Sequence, residues 1–344
     1  MRTKIGSVPA DSIFDPELPG TRLLRRPKQL GELLLSAVPN SAVPGATLRD
    51  VKVTLRHHVR GGRCVAEVAL VFDHNGSPPE IRRLMIRLYP GDKGADVYET
   101  LRQLRSHGFA TGSFTVPQPL AYDPARHLLV LEWTRGDSLR SLLRTGKDAF
   151  PALERASQWL LRLHTSGANG GRRYDLGRHL HTLGTQGRNL AKVLPAASRL
   201  YHDVLRGVEQ QGAAMSAWKP APTHRDFTPE HLLFDGERVT GLDFDEFCQY
   251  DPMFDLAHFL AHLRLVALIS PETAGNFDLW AAHFERSYRA GAADYSARRI
   301  RFYLACAYLK LAYVIGVAQR PRNWDRLALA LLREAQRFVK GGQI

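Results

Sequence analysis

Hydrophobic and polar residues alternate along the first third of the chain with a period of two, which is typical of half-buried strands. After the third of these runs, apolar residues recur instead at helical spacing over Ala95–His107. The pattern therefore predicts a five-stranded sheet with one helix after the third strand. The predicted strands are Val51–Leu55, Cys64–Phe72, Leu84–Tyr89, Pro117–Tyr122 and Leu128–Trp133.

From Ser138 onward the period changes, and apolar residues recur every three to four positions. The pattern predicts an α+β fold with residues 1–47 as an N-terminal extension, 48–132 as a sheet-rich lobe and 133–344 as a helical lobe. Within the extension, Pro27–Val38 is predicted to form a short helix. The predicted helices of the third segment are Leu139–Leu143, Phe150–His164, Leu176–Gln211, Phe254–Leu268, Phe277–Ala290, Ala297–Gln319 and Trp324–Val339.

One hairpin interrupts the helical half of the chain. An Asp-Gly pair at residues 235–236 lies between two apolar runs, which is a strong signal for a tight turn. With the turn there, His231 lies opposite Gly241, give or take one pair. Asp226 and Asp243 then emerge at the same open end of the hairpin. Strand pairing alone therefore brings two carboxylates and one imidazole together.

The residues around this hairpin resemble a known family. Residues 224–231 read H-R-D-F-T-P-E-H, residues 242–244 read L-D-F, and residues 251–257 read D-P-M-F-D-L-A. This series is similar to the aminoglycoside phosphotransferase / choline kinase-like family, which shows H-x-D-x-x-x-x-N, then h-D-[FW], then D-P-x-x-D-L-A. The Asn is the one departure, and His231 replaces it. The resemblance implies a bilobal protein kinase-like fold and ATP-dependent phosphoryl transfer to a hydroxyl of a small molecule.

The resemblance also implies roles for the clustered residues. Asp226 is the predicted catalytic base, because the attacking hydroxyl needs a proton acceptor within hydrogen-bond reach. Asp243 is the predicted metal ligand, because Mg²⁺ prefers oxygen donors. His231 is either a second ligand or a space-filling side chain, and its nitrogen suits Mn²⁺ better than Mg²⁺. The expected cofactors are ATP and Mg²⁺, with Mn²⁺ as the alternative, and Glu230 and Asp245 are further oxygen donors.

The nucleotide phosphates need a cation in the N-terminal lobe. Arg87 lies where the family has a lysine on the third strand, and it keeps the charge with a bulkier, forked head group. By the same resemblance, Glu99 on the following helix is its predicted ion-pair partner. An Arg/Glu pair on the surface is the alternative interpretation.

The remaining nucleotide contacts are predicted from backbone segments. Gly61 and Gly62, between the first two strands, could approach a phosphate through their amides, although the pair also fits an ordinary turn. Glu132 and Trp133 resemble the hinge segment whose backbone would contact adenine. His224 and Asp255 resemble residues that brace the catalytic loop.

Composition narrows the range of partners. Lys and Arg number 47 against 34 Asp and Glu, which gives a net charge of +13. The basic residues are scattered without interleaved aromatic residues, so we expect a solvated basic surface and no nucleic-acid partner. Cys64, Cys248 and Cys306 are too far apart in sequence to suggest a zinc site or a disulfide framework. No leader or membrane-spanning run is evident, and we expect a cytoplasmic protein without a membrane partner. The sequence gives no basis for an oligomeric state.

Three departures from the family pattern keep a second hypothesis open. Arg87, His231 and the weak glycine loop are also compatible with a pseudokinase-type scaffold that binds nucleotide without transfer. The retention of both Asp226 and Asp243 favours an enzyme, because a scaffold has no chemical need for both.

The acceptor is expected to be a sugar-like or other neutral-to-acidic metabolite. Polycationic acceptors need spare carboxylates around them, because each desolvated ammonium must be paired. The segments 172–213 and 277–320, expected to wall the acceptor site, are instead rich in arginine. Among them are Arg172, Arg173, Arg178, Arg188, Arg199, Arg286, Arg289, Arg298, Arg299 and Arg301.

Overall fold

The structure is a computed structural model that describes residues 14–74, 78–145, 149–215, 217–270 and 275–343. The described chain divides into two compact units, with the boundary between Arg135 and Gly136. The first unit is rich in strands and the second in helices. The predicted α+β class is confirmed.

The first unit contains an antiparallel sheet with the strand order β1-β2-β3-β6-β5. The five predicted strands are therefore present, and a short strand, β4, precedes β5. Strand β2 is mainly apolar, and most of its residues are buried on both faces. The strands are β1 Thr47–Val59, β2 Arg63–Asp73, β3 Glu80–Leu88, β4 Phe114–Thr115, β5 Pro119–Asp123 and β6 Leu128–Glu132.

Helices cover this sheet. Helix α1 (Thr21–Leu24) and helix α2 (Pro27–Ala37) contribute Leu24, Leu30 and Leu34 to the same hydrophobic core as the strands. The described part of the predicted extension therefore packs within the first unit. Helix α3 (Lys93–Leu104) follows β3, close to its predicted position, and buries its apolar face.

The second unit carries the predicted helices, with one correction. The segment Leu176–Gln211 was expected to be one helix, but it forms two helices on either side of a 3₁₀ turn at Pro195–Ala197. Proline lacks the amide hydrogen that a continuous helix would use, so the helix ends before it. The helices are α4 Leu139–Thr145, α5 Ala149–Thr165, α6 Leu176–Val193, α7 Ser198–Ala213, α8 Met253–Ile269, α9 Phe277–Arg289, α10 Ala297–Tyr313 and α11 Trp324–Val339.

Short strands in the second unit include the predicted hairpin. Asp235 pairs with Arg238 and Leu232 with Gly241, so the turn is where the sequence predicts it. The Leu242 N–H donates to the His231 carbonyl at 2.8 Å, which places His231 within one pair of its expected partner. The strands are β7 Asp137–Ser138, β8 Ala221–Thr223, β9 Leu232–Asp235, β10 Arg238–Gly241 and β11 Cys248–Tyr250.

Helix α10, with its continuation to Gln319, is the one described helix that is long and apolar enough to cross a membrane by length and composition. Its mean hydropathy is 1.5 over the scored window, and 72% of that window is buried within the protein. It packs against α8 and α11, which is the environment of a core helix. A buried core helix meets the same length and hydropathy criteria, so the pattern is weak evidence for a membrane span.

The hairpin is positioned by Trp159 of α5, which is fully buried. Its ring stacks on Phe227 with centroids 5.7 Å apart and planes 11° apart. A Cβ added at Gly241 would overlap the Trp159 ring. The absence of a side chain at Gly241 therefore allows strand β10 to lie against the indole.

Substitution Gly241→Ala should lower the free energy of unfolding by about 1–3 kcal/mol, because an extra methyl group in a filled core forces its neighbours apart. Urea denaturation of the two proteins measures the difference. The matched control is Gly275→Ala, where an added Cβ meets nothing within 4 Å. Equal losses for the two variants would contradict the close packing inferred at Gly241.

Candidate active site

A single buried carboxylate holds the loop that carries Asp226. Asp255 lies in the first turn of α8 and is fully buried. Its Oδ2 accepts the His224 N–H and its Oδ1 accepts the Arg225 N–H, each at 2.7 Å. His164 Nε2 lies 3.1 Å from Oδ2. These contacts stabilise the left-handed backbone of Arg225, whose φ is +63°, and so fix the direction in which the next residue points.

His224 ties the same loop to the end of strand β10. Its Nε2–H donates to the Leu242 carbonyl at 2.8 Å, and its Nδ1 accepts the Asp226 N–H at 3.3 Å. Burial lowers the pKa of His224, although the charge of Asp255 opposes the shift. The side chain is therefore a neutral structural link between the two segments that carry the acidic residues. The bracing roles expected for His224 and Asp255 are present.

The ligand atoms of Asp226, His231 and Asp243 lie within 4.8 Å of one another. His231 Nδ1 lies 2.7 Å from the Asp226 carbonyl oxygen and acts as the donor, because that oxygen can only accept. In the neutral tautomer Nε2 then carries the lone pair, 3.4 Å from Asp243 Oδ2. This orientation suits a nitrogen ligand to a cation shared with Asp243. Two carboxylates and one imidazole are a donor set that fits a divalent cation.

Asp243 occupies a strained position. Its backbone has φ +68° and ψ +65°, a left-handed conformation that is uncommon for residues other than glycine. Its side chain is nearly buried, at 9% exposure. Strain of this kind persists where surrounding structure enforces it, and it is concentrated at functional sites. The turn directs Asp243 back toward Asp226 and His231.

Two side chains that the sequence analysis missed, a histidine and a lysine, lie beside the Asp226 carboxylate. His258 Nε2 is 3.4 Å and Lys310 Nζ is 3.7 Å from Asp226 Oδ1. Burial alone would raise the pKa of Asp226, but its interactions with His258, Lys310 and His231 hold the pKa well below its usual range. Asp226 is therefore ionised at neutral pH. Its carboxylate is 32% exposed, so a substrate hydroxyl can reach it.

The sequence contains weak signals for both missed residues. His258 follows Asp255 by three positions, so the two lie on the same side of α8, about one turn apart. Lys310 is the one lysine in α10, within the otherwise apolar run from Leu304 to Ala312. A lone charge in such a run needs a partner, and Asp226 is that partner.

Glu230, proposed from sequence as a further oxygen donor, has a different partner. Its carboxylate forms an ion pair with Arg140 of α4. Burial alone would raise the pKa of Glu230, but His262 and Arg140 lower it. The ion pair directs the carboxylate toward α4, and Glu230 is absent from the cluster of potential metal ligands.

In the first unit, Arg87 lies in the centre of the sheet. It is opposite Val65 of β2 and Leu129 of β6, and it is 9% exposed. A guanidinium in such a position needs a negative partner. Glu99 is 55% exposed and lies 3.3 Å from Arg102 on its own helix. The pairing of Arg87 with Glu99 stays a prediction.

The structure gives the amides of Gly61 and Gly62 partners within the protein. The Gly61 N–H donates to Asp15 Oδ2 at 2.8 Å, and the Gly62 N–H donates to the Val59 carbonyl at 2.9 Å. The carboxylate of Glu17 lies against the Cα of Gly61. Two carboxylates beside these amides would repel a phosphate. The geometry therefore favours a structural turn over the phosphate-binding loop expected from the sequence.

Glu132 is the last residue of strand β6, and Trp133 follows it. Glu132 is in register with Leu84, and its N–H donates to the Gln118 carbonyl at 3.0 Å. The Arg83 guanidinium lies 5.5 Å from the centroid of the Trp133 ring. Their expected contact with adenine stays a prediction.

The sequence profile of the phosphotransferase enzyme family (APH) matches residues 76–300, which is more than half of the chain. The chain belongs to this phosphotransferase family. No curated protein matches it in sequence. The matched residues include the whole cluster from Asp226 to His258, whereas Lys310 lies beyond them.

Solved structures of phosphotransferases share the fold. A choline/ethanolamine kinase family protein from Mesorhizobium loti is 21% identical, with a TM-score of 0.55 over 91% of this chain and 95% of that chain. The choline kinase LicA from Streptococcus pneumoniae is 14% identical, with a TM-score of 0.57 over 91% and 98%. A thermostable mutant of aminoglycoside phosphotransferase APH(4)-Ia, in a ternary complex with ADP and hygromycin B, is 15% identical, with a TM-score of 0.59 over 90% and 98%. The predicted protein kinase-like fold is confirmed.

In this phosphotransferase, Asp255→Asn should lower the free energy of unfolding by about 3 kcal/mol, because a charged acceptor of buried amide donors is replaced by a neutral group that offers one acceptor fewer. Urea denaturation measures the loss. The control is Asp203→Asn on α7, which removes an exposed ion pair with Arg206 and should cost less than about 1 kcal/mol. Similar losses for both variants would show that Asp255 does not carry the loop.

Proposed function

We propose that this protein transfers the γ-phosphoryl group of ATP to a hydroxyl group of a small molecule. The observation that supports this most directly is the convergence of an ionised Asp226, Asp243 and His231 on one site. Membership of the phosphotransferase family is consistent with it. Each of the three residues then has a chemical task.

Asp226 orients the acceptor hydroxyl and receives its proton. The low pKa of Asp226 makes it a weak base in the ground state. That is acceptable in phosphoryl transfer, because the transition state is loose and the hydroxyl becomes strongly acidic only as its bond to phosphorus forms. The adjacent Lys310 and His258 keep the carboxylate ionised and aligned until that point.

Asp243 and His231 would hold a divalent cation on the nucleotide phosphates. Mg²⁺ is the first candidate and Mn²⁺ the alternative, because His231 adds a nitrogen to the oxygen donors. When bound, the cation neutralises negative charge on the phosphates. The His231 contact with the Asp226 carbonyl fixes which ring nitrogen faces Asp243.

The proposed acceptor is a sugar-like or other neutral-to-acidic metabolite. The Lys310 ammonium beside Asp226 disfavours a polycationic acceptor at the point of transfer. Three of the arginines expected to wall the acceptor site are engaged elsewhere in the second unit. Arg299 is buried near Asp251 and Asp294, and Arg298 and Arg301 line a separate cavity.

A second candidate function is a pseudokinase-type scaffold that binds nucleotide without transfer. The observation that favours it is that the Gly61 and Gly62 amides already donate hydrogen bonds to Asp15 and Val59, so they are not available to a phosphate. Under this alternative, ATP would bind but no acceptor would be phosphorylated. A panel of sugars, amino alcohols, hydroxy acids and aminoglycosides, assayed by release of ADP and by mass spectrometry of the products, separates the two functions.

With an accepted substrate from this panel, Asp226→Asn should lower kcat by about 100-fold or more, because the amide cannot receive the proton. Affinity for the metal–ATP complex, measured by calorimetry, should change little. Asp243→Ala should instead weaken that affinity.

The control for both variants is Asp203→Asn, an acidic residue on the surface of the same unit. Retention of full turnover by the Asp226 variant would refute its assignment as the base. Unchanged metal–ATP affinity in the Asp243 variant would argue against a metal ligand at that position.

His231→Asn should shift the metal preference of the protein from Mn²⁺ toward Mg²⁺ by several-fold, because a carbonyl oxygen replaces a ring nitrogen. Titration of ATP with either metal measures the ratio of the two affinities. The control is His262→Asn, a partly buried histidine of α8 that lies outside the cluster of ligands. Identical affinity ratios in wild type and the His231 variant would show that His231 does not bind the metal.

A further inference from the structure

A cavity of about 650 Å³ in the second unit is lined by α4, the C-terminal half of α8 and the beginning of α11. Four arginines contribute to its lining: Arg140, Arg144, Arg322 and Arg326. The rest of the lining is mainly apolar and includes Leu265, Leu268 and Leu327. No carboxylate is among the described residues that line it. The cavity therefore combines an apolar surface with a concentrated positive charge.

Among the residues that the structure describes, few carboxylates balance the charges of these arginines. Arg140 forms an ion pair with Glu230. Arg144, Arg322 and Arg326 are exposed, and in the described part of the chain none of them lies within ion-pair distance of a carboxylate. Like charges around one cavity repel each other, and an anion placed among them removes that repulsion. Arginine also binds carboxylate and phosphate groups in a bidentate manner.

The α8 residues that line the cavity share one face of the helix with His258, which contacts Asp226. His258 lies 3.4 Å from Asp226. His262, Leu265 and Ile269 follow at intervals of four, three and four residues, which places all of them on one face of the helix. With a rise of about 1.5 Å per residue, Leu265 lies roughly 10 Å and Ile269 roughly 16 Å beyond His258 along the axis.

Arg140 lines the cavity and also forms an ion pair with a residue of the segment that carries His231. Its partner Glu230 immediately precedes His231 in the chain, within the 3₁₀ turn at Pro229–His231. One end of the cavity is therefore fixed beside the predicted metal ligands. Along α8, the cavity-lining residues Leu265 and Ile269 lie roughly 10–16 Å beyond His258, which is next to the carboxylate that would accept the proton.

We propose that this cavity is the acceptor subsite, and that it takes an anionic amphiphile. Such a molecule carries a hydroxyl that reaches Asp226, an apolar chain that lies along Leu265 and Ile269, and an acidic head group bound by Arg322 and Arg326. The inference rests on the proposed phosphotransfer function and narrows its acceptor class. In the transfer, the bond from the γ-phosphorus to ADP breaks, the bond to the acceptor oxygen forms, and the hydroxyl proton passes to Asp226.

A matched series of probes tests the head group and the length. ω-Hydroxydecanoate, decanediol and ω-aminodecanol share a chain and a hydroxyl, and they differ in having an anionic, a neutral or a cationic end. ω-Hydroxybutyrate keeps the anion but is too short to span the distance. Calorimetry measures the binding of each probe without nucleotide, and ADP release measures transfer.

The anionic long-chain probe should bind and be phosphorylated about tenfold or more better than the diol, and better still than the amine, because an additional charged contact of ordinary strength changes affinity by about that factor. The double variant R322A/R326A should raise the KM for ω-hydroxydecanoate by about tenfold or more and leave kcat and metal–ATP affinity nearly unchanged. The control is Arg333→Ala, an exposed arginine of α11 outside the cavity lining.

The outcomes separate this inference from the proposed function. Arginine-dependent binding of ω-hydroxydecanoate without transfer to any acceptor would support the subsite and refute the phosphotransfer. Transfer to another acceptor, with no binding of the anionic probe or with equal affinity for the diol, would overturn the subsite and leave the phosphotransfer intact. A KM that the double variant and the Arg333 variant change equally would also overturn it.

Discussion

The Asp255 carboxylate is the contact on which the candidate site depends. It accepts hydrogen bonds from two consecutive amides of the loop. Those bonds offset the free-energy cost of the left-handed backbone conformation of Arg225. That backbone turn directs Asp226 toward Asp243, which itself has a left-handed backbone. Neither conformation would persist in an isolated peptide. The site is therefore a product of the buried helix α8, which supplies the carboxylate from its first turn.

The electrostatics around Asp226 follow from the same burial. His258 is fully buried, and burial, together with the charge of Lys310, lowers its pKa well below the usual range. A neutral His258 beside Asp226 would not compete for the proton of the proposed acceptor. The remaining charge near Asp226 comes from Lys310 on a different helix. Together with His258 and His231, Lys310 holds the pKa of Asp226 below its usual range, which suits the proton-accepting role proposed for it.

The departures from the family pattern concern different parts of the proposed reaction. His231 replaces a neutral oxygen donor by a nitrogen donor, but it remains within reach of Asp226 and Asp243. Arg87 keeps a cation in the central strand of the sheet. The glycine turn departs furthest, because Asp15 occupies the Gly61 amide that a phosphate would need.

The sequence by itself determined the elements and the acidic cluster, because both depend on local signals. Alternation and helical spacing predict strands and helices, and the Asp-Gly turn sets the hairpin register that places Asp226 near Asp243. Tertiary structure decided the partners. His258, Lys310 and Asp15 are distant in sequence from the groups they contact, and their pairing depends on how helices and turns pack. The arginine-lined cavity likewise draws its residues from α4, α8 and α11, whose proximity no local pattern encodes.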